Sequence, residues 1–103
     1  FYVNNERTTE GRVITCEYDK IVLINTYNPS TGYTGVLKNL TLREKWDQAM
    51  ADHVVKMRTK TGKPIVAVGD FNTAQSEFDV HDPVTIAGSA GFSKRERAGI
   101  ARL

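Results

Sequence analysis

The chain has 103 residues, 40% of them hydrophobic and 25% charged, with a formal net charge of +2. That length allows one domain, and the balance is that of an ordinary globular protein rather than a fibrous or low-complexity one. The longest apolar run, Ile21 to Ile24, falls far short of the ~20 residues that a membrane-crossing helix needs, so a membrane partner is not expected.

Residues 1–10 are polar, with Asn4, Asn5 and the Thr8-Thr9 pair, and read as a loop entering the fold. No leader-peptide pattern opens them. Arg12 to Tyr18 is rich in Val, Ile, Thr and Tyr, which suits a strand. Cys16 lies within it. A lone cysteine forms no internal disulfide, which favours a reducing, intracellular setting and the role of a small buried hydrophobe. Asp19-Lys20 reads as a two-residue turn into a second strand, Ile21 to Tyr27, so the two strands form an antiparallel hairpin. Four consecutive apolar residues in the second strand predict burial on both faces. Pro29 and Gly32 then force a loop.

Thr41 to Lys60 carries the clearest helical pattern. Leu42, Trp46, Met50, Val54 and Met57 recur at helical spacing and predict one apolar stripe, with Arg43 and Asp47 among the charged residues off it. Thr41-Leu42-Arg43-Glu44 reads as a capping box and Gly62 as the stop. Lys63 to Asp70 reads as a short buried strand ending in a Gly-Asp turn. Residues 73–90 are mixed and irregular. Ser93-Lys94-Arg95-Glu96 is a second capping box, opening a helix that runs to the last residue. The chain opens without Met and closes on Gly99-Ile100-Ala101-Arg102-Leu103 with no stop signal. Both ends are therefore expected to be cuts, and residues 1–103 to be the central part of one domain. Strand, helix and strand in this order predict an α/β layered arrangement.

Gly69-Asp70-Phe71-Asn72 is the motif richest in chemistry. A strand delivers Asp70 and Asn72 to its end with one residue between them. The carboxylate can exchange a proton with water or bind a hard cation, and the amide can orient that water or hold a phosphate oxygen. Gly, Asp and Asn are also ordinary turn formers. Tyr27 ends a strand, where its phenol can meet a phosphate or can pack with a wetted hydroxyl. Glu77, Asp79, His81 and Asp82 form an acidic cluster without metal-ligand spacing, so solvated or capping roles are expected. His53 reads as a histidine at the edge of the core. Lys94, Arg95 and Arg97 gather at a helix start, which suggests an external anion or a merely exposed face. The pI near 8.8 allows a polyanionic partner without demanding one.

In order, Glu10-Gly11-Arg12-Val13-Ile14, Asn25-Thr26-Tyr27-Asn28-Pro29, Arg43-Glu44-Lys45-Trp46-Asp47, Gly69-Asp70-Phe71-Asn72-Thr73-Ala74, Glu77-Phe78-Asp79 and Ala90-Gly91-Phe92-Ser93 with Glu96-Arg97 resemble the middle of the exonuclease III family of AP endonucleases. The resemblance is collinear from about Glu10 to the end. It implies a four-layered α/β sandwich of the endonuclease/exonuclease/phosphatase type, of which only the central part is present. It also implies Mg²⁺-dependent (or Mn²⁺-dependent) hydrolysis of the phosphodiester 5′ to an abasic site in double-stranded DNA, by a monomeric whole protein inside the cell, in the nucleus of a eukaryote and otherwise in the cytoplasm. Tyr27 matches the tyrosine that contacts the scissile phosphate. Asp70 matches the catalytic acid/base, and Asn72 the residue orienting it and the water. Asp70 and Asn72 also match a second metal position. Arg12, Ser30 and Ser89 fall near DNA contacts. The basic residue that often follows the tyrosine in this family has no counterpart; Tyr33 lies nearby and Lys38 is the nearest base. The family's metal-binding glutamate precedes this segment, and its closing Asp-His pair follows it. The alternatives are a retrotransposon-type endonuclease or another phosphodiesterase with the same Gly-Asp-x-Asn core, and a non-catalytic module that binds DNA or protein on the same scaffold.

Overall fold

The computed structural model describes residues 1–4, 6–32 and 37–103. The stretch expected to be a plain loop at the start contains a short antiparallel ribbon, β1 (Tyr2–Val3) with β2 (Glu6–Arg7). It is drawn onto the fold by Phe1, whose ring lies 4.9 Å from that of Trp46. An apolar anchor of that size overrides the polar composition around it.

The hairpin forms as its sequence predicts. β3 (Val13–Glu17) and β4 (Val22–Tyr27) are antiparallel, from Val13 opposite Thr26 to Glu17 opposite Val22. Tyr18 N–H donates to Ile21 O at 2.9 Å, closing the turn around Asp19-Lys20. β5 (Ile65–Asp70) then joins β4 in parallel, giving the order β3-β4-β5 among the described residues. A parallel neighbour needs a long crossover, and α1 (Leu40–Thr61) supplies it.

One face of α1 covers one face of the sheet. Val22 and Ile24 of β4 meet Trp46, Met50 and Val54 of α1 in the buried core, flanked by Val13, Met57 and Ile65. Leu42 departs from the expected stripe and is exposed, lining an open groove instead of the core. The helix also starts one residue before Thr41, with Asn39 at its N-cap and no side-chain cap, so the expected Thr41 capping box does not form. Gly62 closes the helix in the left-handed region, its N–H on Arg58 O at 2.8 Å, as expected.

The both-face burial expected of β4, and the burial expected of β5, are not observed. Inward residues alternate with outward ones, and Ile14, Val66 and Val68 lie exposed on the far face with Cys16 partly so. The described residues make one helical layer and one sheet layer. Nothing among them covers the far face, whose apolar content suits a second sheet. After β5 come a single 3₁₀ turn (Glu77–Asp79), irregular chain and α2 (Lys94–Ile100). α2 opens with the expected capping box of Ser93 and Glu96, but it ends at Ile100 instead of running to the last residue. His53 is a core-edge residue as expected. Its Nε2 lies 2.8 Å from Thr15 Oγ1, and burial lowers its pKa. No helix among the described residues is long and apolar enough to cross a membrane.

Gly69 sets how closely β5 lies against β4. Its φ is +124°, and a Cβ there would stand 2.0 Å from Thr26 O, far inside contact distance. Gly69→Ala is therefore expected to cost more than about 2 kcal/mol, through forced separation of the strands and a disfavoured dihedral. Urea unfolding of the variant against the parent checks this; a difference within about 0.5 kcal/mol would show that the strands tolerate a side chain there.

Candidate active site

The parallel register brings the two strand-end residues together. Tyr27 is the Cα partner of Asp70, the last pair of the β4–β5 ladder. Both side chains lie on the far, uncovered face and both are exposed. Ligands characteristically bind beyond the carboxyl ends of parallel strands, which is where this pair stands. The ladder continues for one more bond, from Asn28 N–H to Asp70 O at 2.8 Å.

Asn72 occupies the left-handed region at φ +47°, a conformation asparagine tolerates better than most residues. Its backbone N–H donates to Asp70 Oδ1 at 2.8 Å, and its Nδ2 donates to Asn28 O at 2.8 Å. The turn therefore holds the carboxylate through one oxygen. Among the described residues, Asp70 Oδ2 and Asn72 Oδ1 carry no hydrogen bond. Two hard oxygens are thus left open at one strand end.

Arg12 packs beside this pair. Its guanidinium carbon lies 4.9 Å from the centre of the Tyr27 ring, its side chain is ion-paired with Glu10, and its Nη1 reaches Tyr27 O at 3.4 Å. The stacking fixes the ring against the strand edge. Arg12, Tyr27, Pro29 and Ser30 line one groove of about 590 Å³, with Leu42 and Trp46 in its wall. Ser30 Oγ is turned onto its own loop, donating to Gly32 O at 3.2 Å. Ser89 is not brought to the pair by any described side-chain hydrogen bond. It sits in the turn before Gly91, its N–H on Ile86 O at 2.9 Å. Tyr33 lies outside the described residues, and Lys38 is exposed just before α1.

Two buried ionic clusters, Arg43 with Asp47 and Glu96 with its donors, support the site, and the sequence reading missed the burial of both. Arg43, expected on the exposed side of α1, is fully buried, and Asp47 nearly so. Arg43 Nε donates to Asp47 Oδ1 at 2.8 Å, while its terminal nitrogens reach Pro29 O, Phe71 O, Asn72 O and Thr73 Oγ1 at 3.1, 2.8, 3.4 and 2.8 Å. Asp47 Oδ2 has no partner among the described residues, and burial pushes this carboxyl above the usual range against the pull of Arg43. The signal was an i,i+4 Arg-Asp pair flanking Trp46, which places both charges beside the apolar stripe.

Glu96 is the second. It is fully buried and accepts from Thr31 Oγ1 at 2.6 Å, Ser93 Oγ at 2.7 Å and Gly91 N–H at 3.0 Å. It thereby joins the loop after Tyr27 to the start of α2. Gly91, at φ +80°, has room for no more than a tight Cβ, 3.3 Å from Asn72 O. The remaining clusters resolve into local contacts. Asp79 and Asp82 cap turns through Ser76 and Thr85, Arg95 pairs with Glu44, and Arg97 donates to Gln75 O at 2.8 Å.

Burial raises the pKa of Glu96, but the hydrogen bonds from Thr31, Ser93 and Gly91 outweigh it and leave the carboxyl below its ordinary value. A carboxylate with a depressed folded pKa contributes stability that is complete above the unfolded value of about 4.3 and is lost as pH falls through the folded value. Glu96→Gln is therefore expected to be less stable near neutrality and to lose less on acidification below pH ~4.3. Chemical unfolding of parent and variant between pH 7 and 3 checks it; equal pH slopes would remove this role.

No protein-family model matches the chain. It is 37% identical, over 91% of its length, to an exodeoxyribonuclease of Streptococcus pneumoniae serotype 4, of which it covers 33%. It is 42% identical, again over 91% of its length, to a DNA-(apurinic or apyrimidinic site) endonuclease of Dictyostelium discoideum, of which it covers 26%. The chain thus spans a third or less of these relatives. The fold superposes on an AP endonuclease from Archaeoglobus fulgidus with a TM-score of 0.76 at 24% identity, covering 99% of this chain and 39% of that one. The resemblance read from the ordered segments is borne out by these relatives, and the α/β fold class by the superposition.

Proposed function

We propose that this chain is the central part of a DNA-repair nuclease that hydrolyses the phosphodiester 5′ to an abasic site, and that Tyr27, Asp70 and Asn72 belong to its active site. The observation that carries the reading is the pairing of Tyr27 with Asp70 at the last rung of a parallel ladder, with Asn72 folded back onto Asp70 in the next turn. Relatives named exodeoxyribonuclease and AP endonuclease support DNA as the substrate over the alternatives of another phosphodiesterase or a non-catalytic module. The whole protein is proposed to act as an intracellular monomer on double-stranded DNA.

In this reading the Asp70 carboxylate takes the proton of the attacking water or delivers one to the leaving oxygen. Its Oδ1 is held by the Asn72 N–H, which leaves Oδ2 to face the substrate. Asn72 anchors its amide nitrogen on Asn28 O and presents Oδ1 to the same water. Tyr27, steadied by Arg12, offers its hydroxyl to a phosphate oxygen. Arg12 and Ser30, which share the groove with Tyr27, are proposed to contact the DNA backbone, and Ser89 is proposed to do so from the neighbouring turn. Asp70 and Asn72 would contribute to holding Mg²⁺ or Mn²⁺, since their open oxygens are hard donors. They do not make a complete site, because no group of three or more His, Cys, Asp or Glu side chains converges among the described residues. When bound, the ion offsets charge on the phosphate and the leaving oxygen.

In the whole protein, Asp70→Asn is expected to slow cutting by ~10²–10⁴-fold, the usual worth of a positioned acid or base. Binding should hold or tighten, because one negative charge beside the phosphate is removed. Single-turnover cleavage of a duplex with one abasic analogue, with Mg²⁺ and with EDTA, decides the matter. A near-parental rate for Asp70→Asn would reduce Asp70 to a turn former, and full activity in EDTA would remove the metal requirement.

A further inference from the structure

We propose that Arg43 is a positioning residue for the proposed active site, setting the backbone of Asn72 and of the loop after Tyr27 from beneath. The inference rests on the assignment of Asp70 and Asn72 made above. Arg43 itself touches none of the reacting groups. Its guanidinium is fully buried, and its five N–H donors all meet acceptors: Asp47 on its own helix, Pro29 O after β4, and Phe71 O, Asn72 O and Thr73 Oγ1 after β5. Two strand-end segments, 28 to 30 and 71 to 73, are therefore pinned to one planar group. The Asn72 Nδ2 bond to Asn28 O spans the same two segments. The left-handed φ of Asn72 is one that asparagine tolerates, and the bonds to the carbonyls of Phe71 and Asn72 hold the turn in it.

The shape of the group matters as much as its charge. A lysine at this position keeps the charge but offers three donors without a rigid fork. It can satisfy Asp47 or the carbonyls, not both sets. The turn carrying Asn72 then relaxes, and the Asn72 N–H leaves Asp70 Oδ1. A displacement near 1 Å in a positioned group can lower a rate by about 10²-fold.

The test is Arg43→Lys in the whole protein, read by single-turnover cleavage of an abasic duplex in Mg²⁺. Active-site titration gives the competent fraction, and binding is measured in EDTA. The expected result is a cleavage constant about 10²-fold lower per competent molecule, with binding changed by no more than about twofold. A merely structural role would lower the competent fraction and leave the constant unchanged, which would overturn the proposal. Arg43→Lys combined with Asn72→Ala is expected to be no slower than Asn72→Ala alone, because one acts through the other. Effects that multiply to within about twofold would also overturn it. Should Arg43→Lys fail to fold, Thr73→Val removes one acceptor of the fork at nearly constant volume. It is expected to lower the constant about fivefold, and a parental constant would count against the proposal. Asp70→Asn, measured alongside, separates the two levels. A near-parental rate there sinks the assignment of the site itself, whereas a large loss there with an unchanged Arg43→Lys constant sinks only the role of Arg43.

Discussion

A buried guanidinium holds this fold together at the strand ends that carry Tyr27, Asp70 and Asn72. Removing an arginine and an aspartate from water costs several kcal/mol per ion before any contact is counted. On the arginine's side that cost is offset by full pairing, since all five donors of Arg43 find partners, while Asp47 keeps one oxygen unpaired among the described residues. The acceptors are also of the right kind. Three are backbone carbonyls in chain that leaves the sheet, where neither a strand nor a helix would otherwise satisfy them. The same bonds that compensate the charge therefore give fixed positions to two loops with no regular structure of their own. An apolar residue at 43 would avoid the desolvation but would leave those half-buried carbonyls without this partner.

The rest of the site follows from strand spacing. Gly69 allows β5 to lie so close to β4 that a Cβ would strike Thr26 O, and this closeness occurs one rung before Tyr27 and Asp70. The register then places phenol and carboxylate side by side without any direct bond between them. Strand ends are suited to this, since the ladder fixes the backbone while the side chains extend beyond the last layer of the core. The apolar side chains of Val22 and Ile24 under α1 hold the ladder flat on one face, and the opposite face is left free for Tyr27 and Asp70.

Much of this was legible in the sequence because it depends on local chemistry. The hairpin follows from β-branched runs around a two-residue turn, the Gly62 stop from left-handed geometry, and the α2 start from Ser93 and Glu96. The strand-end placement of Tyr27, Asp70 and Asn72 follows from apolar runs that stop just before each. What was not legible depends on contacts distant in sequence. The burial of Arg43 is decided by carbonyls 14 to 29 positions away and a hydroxyl 30 away, and that of Glu96 by Thr31, 65 positions away. A charged residue on a helix reads as solvated unless its partners are known. The ribbon at the start was missed for a related reason, since its anchor is one ring, Phe1, on a distant Trp46.

The expectation that β4 is buried on both faces, and β5 buried, failed in an informative way. Val66, Val68 and Ile14 are apolar enough to be interior residues, yet they stand on the open side of the sheet. An apolar sheet face left to water is unfavourable in proportion to its area, so the sequence of β3 and β5 is written for a partner layer. Tyr27 and Asp70 stand at the end of that same face. Whatever covers the apolar rows must stop short of the strand ends, or it would cover the pair as well. A layer placed there would form one wall of a cleft, with the strand ends as its floor. A reacting group added from that wall would approach Asp70 Oδ2 and Asn72 Oδ1, the two oxygens left without hydrogen bonds. In the proposed reading these residues supply the floor, its rigidity and one carboxylate, and one carboxylate alone would not balance the charge of a phosphate and its counter-ion.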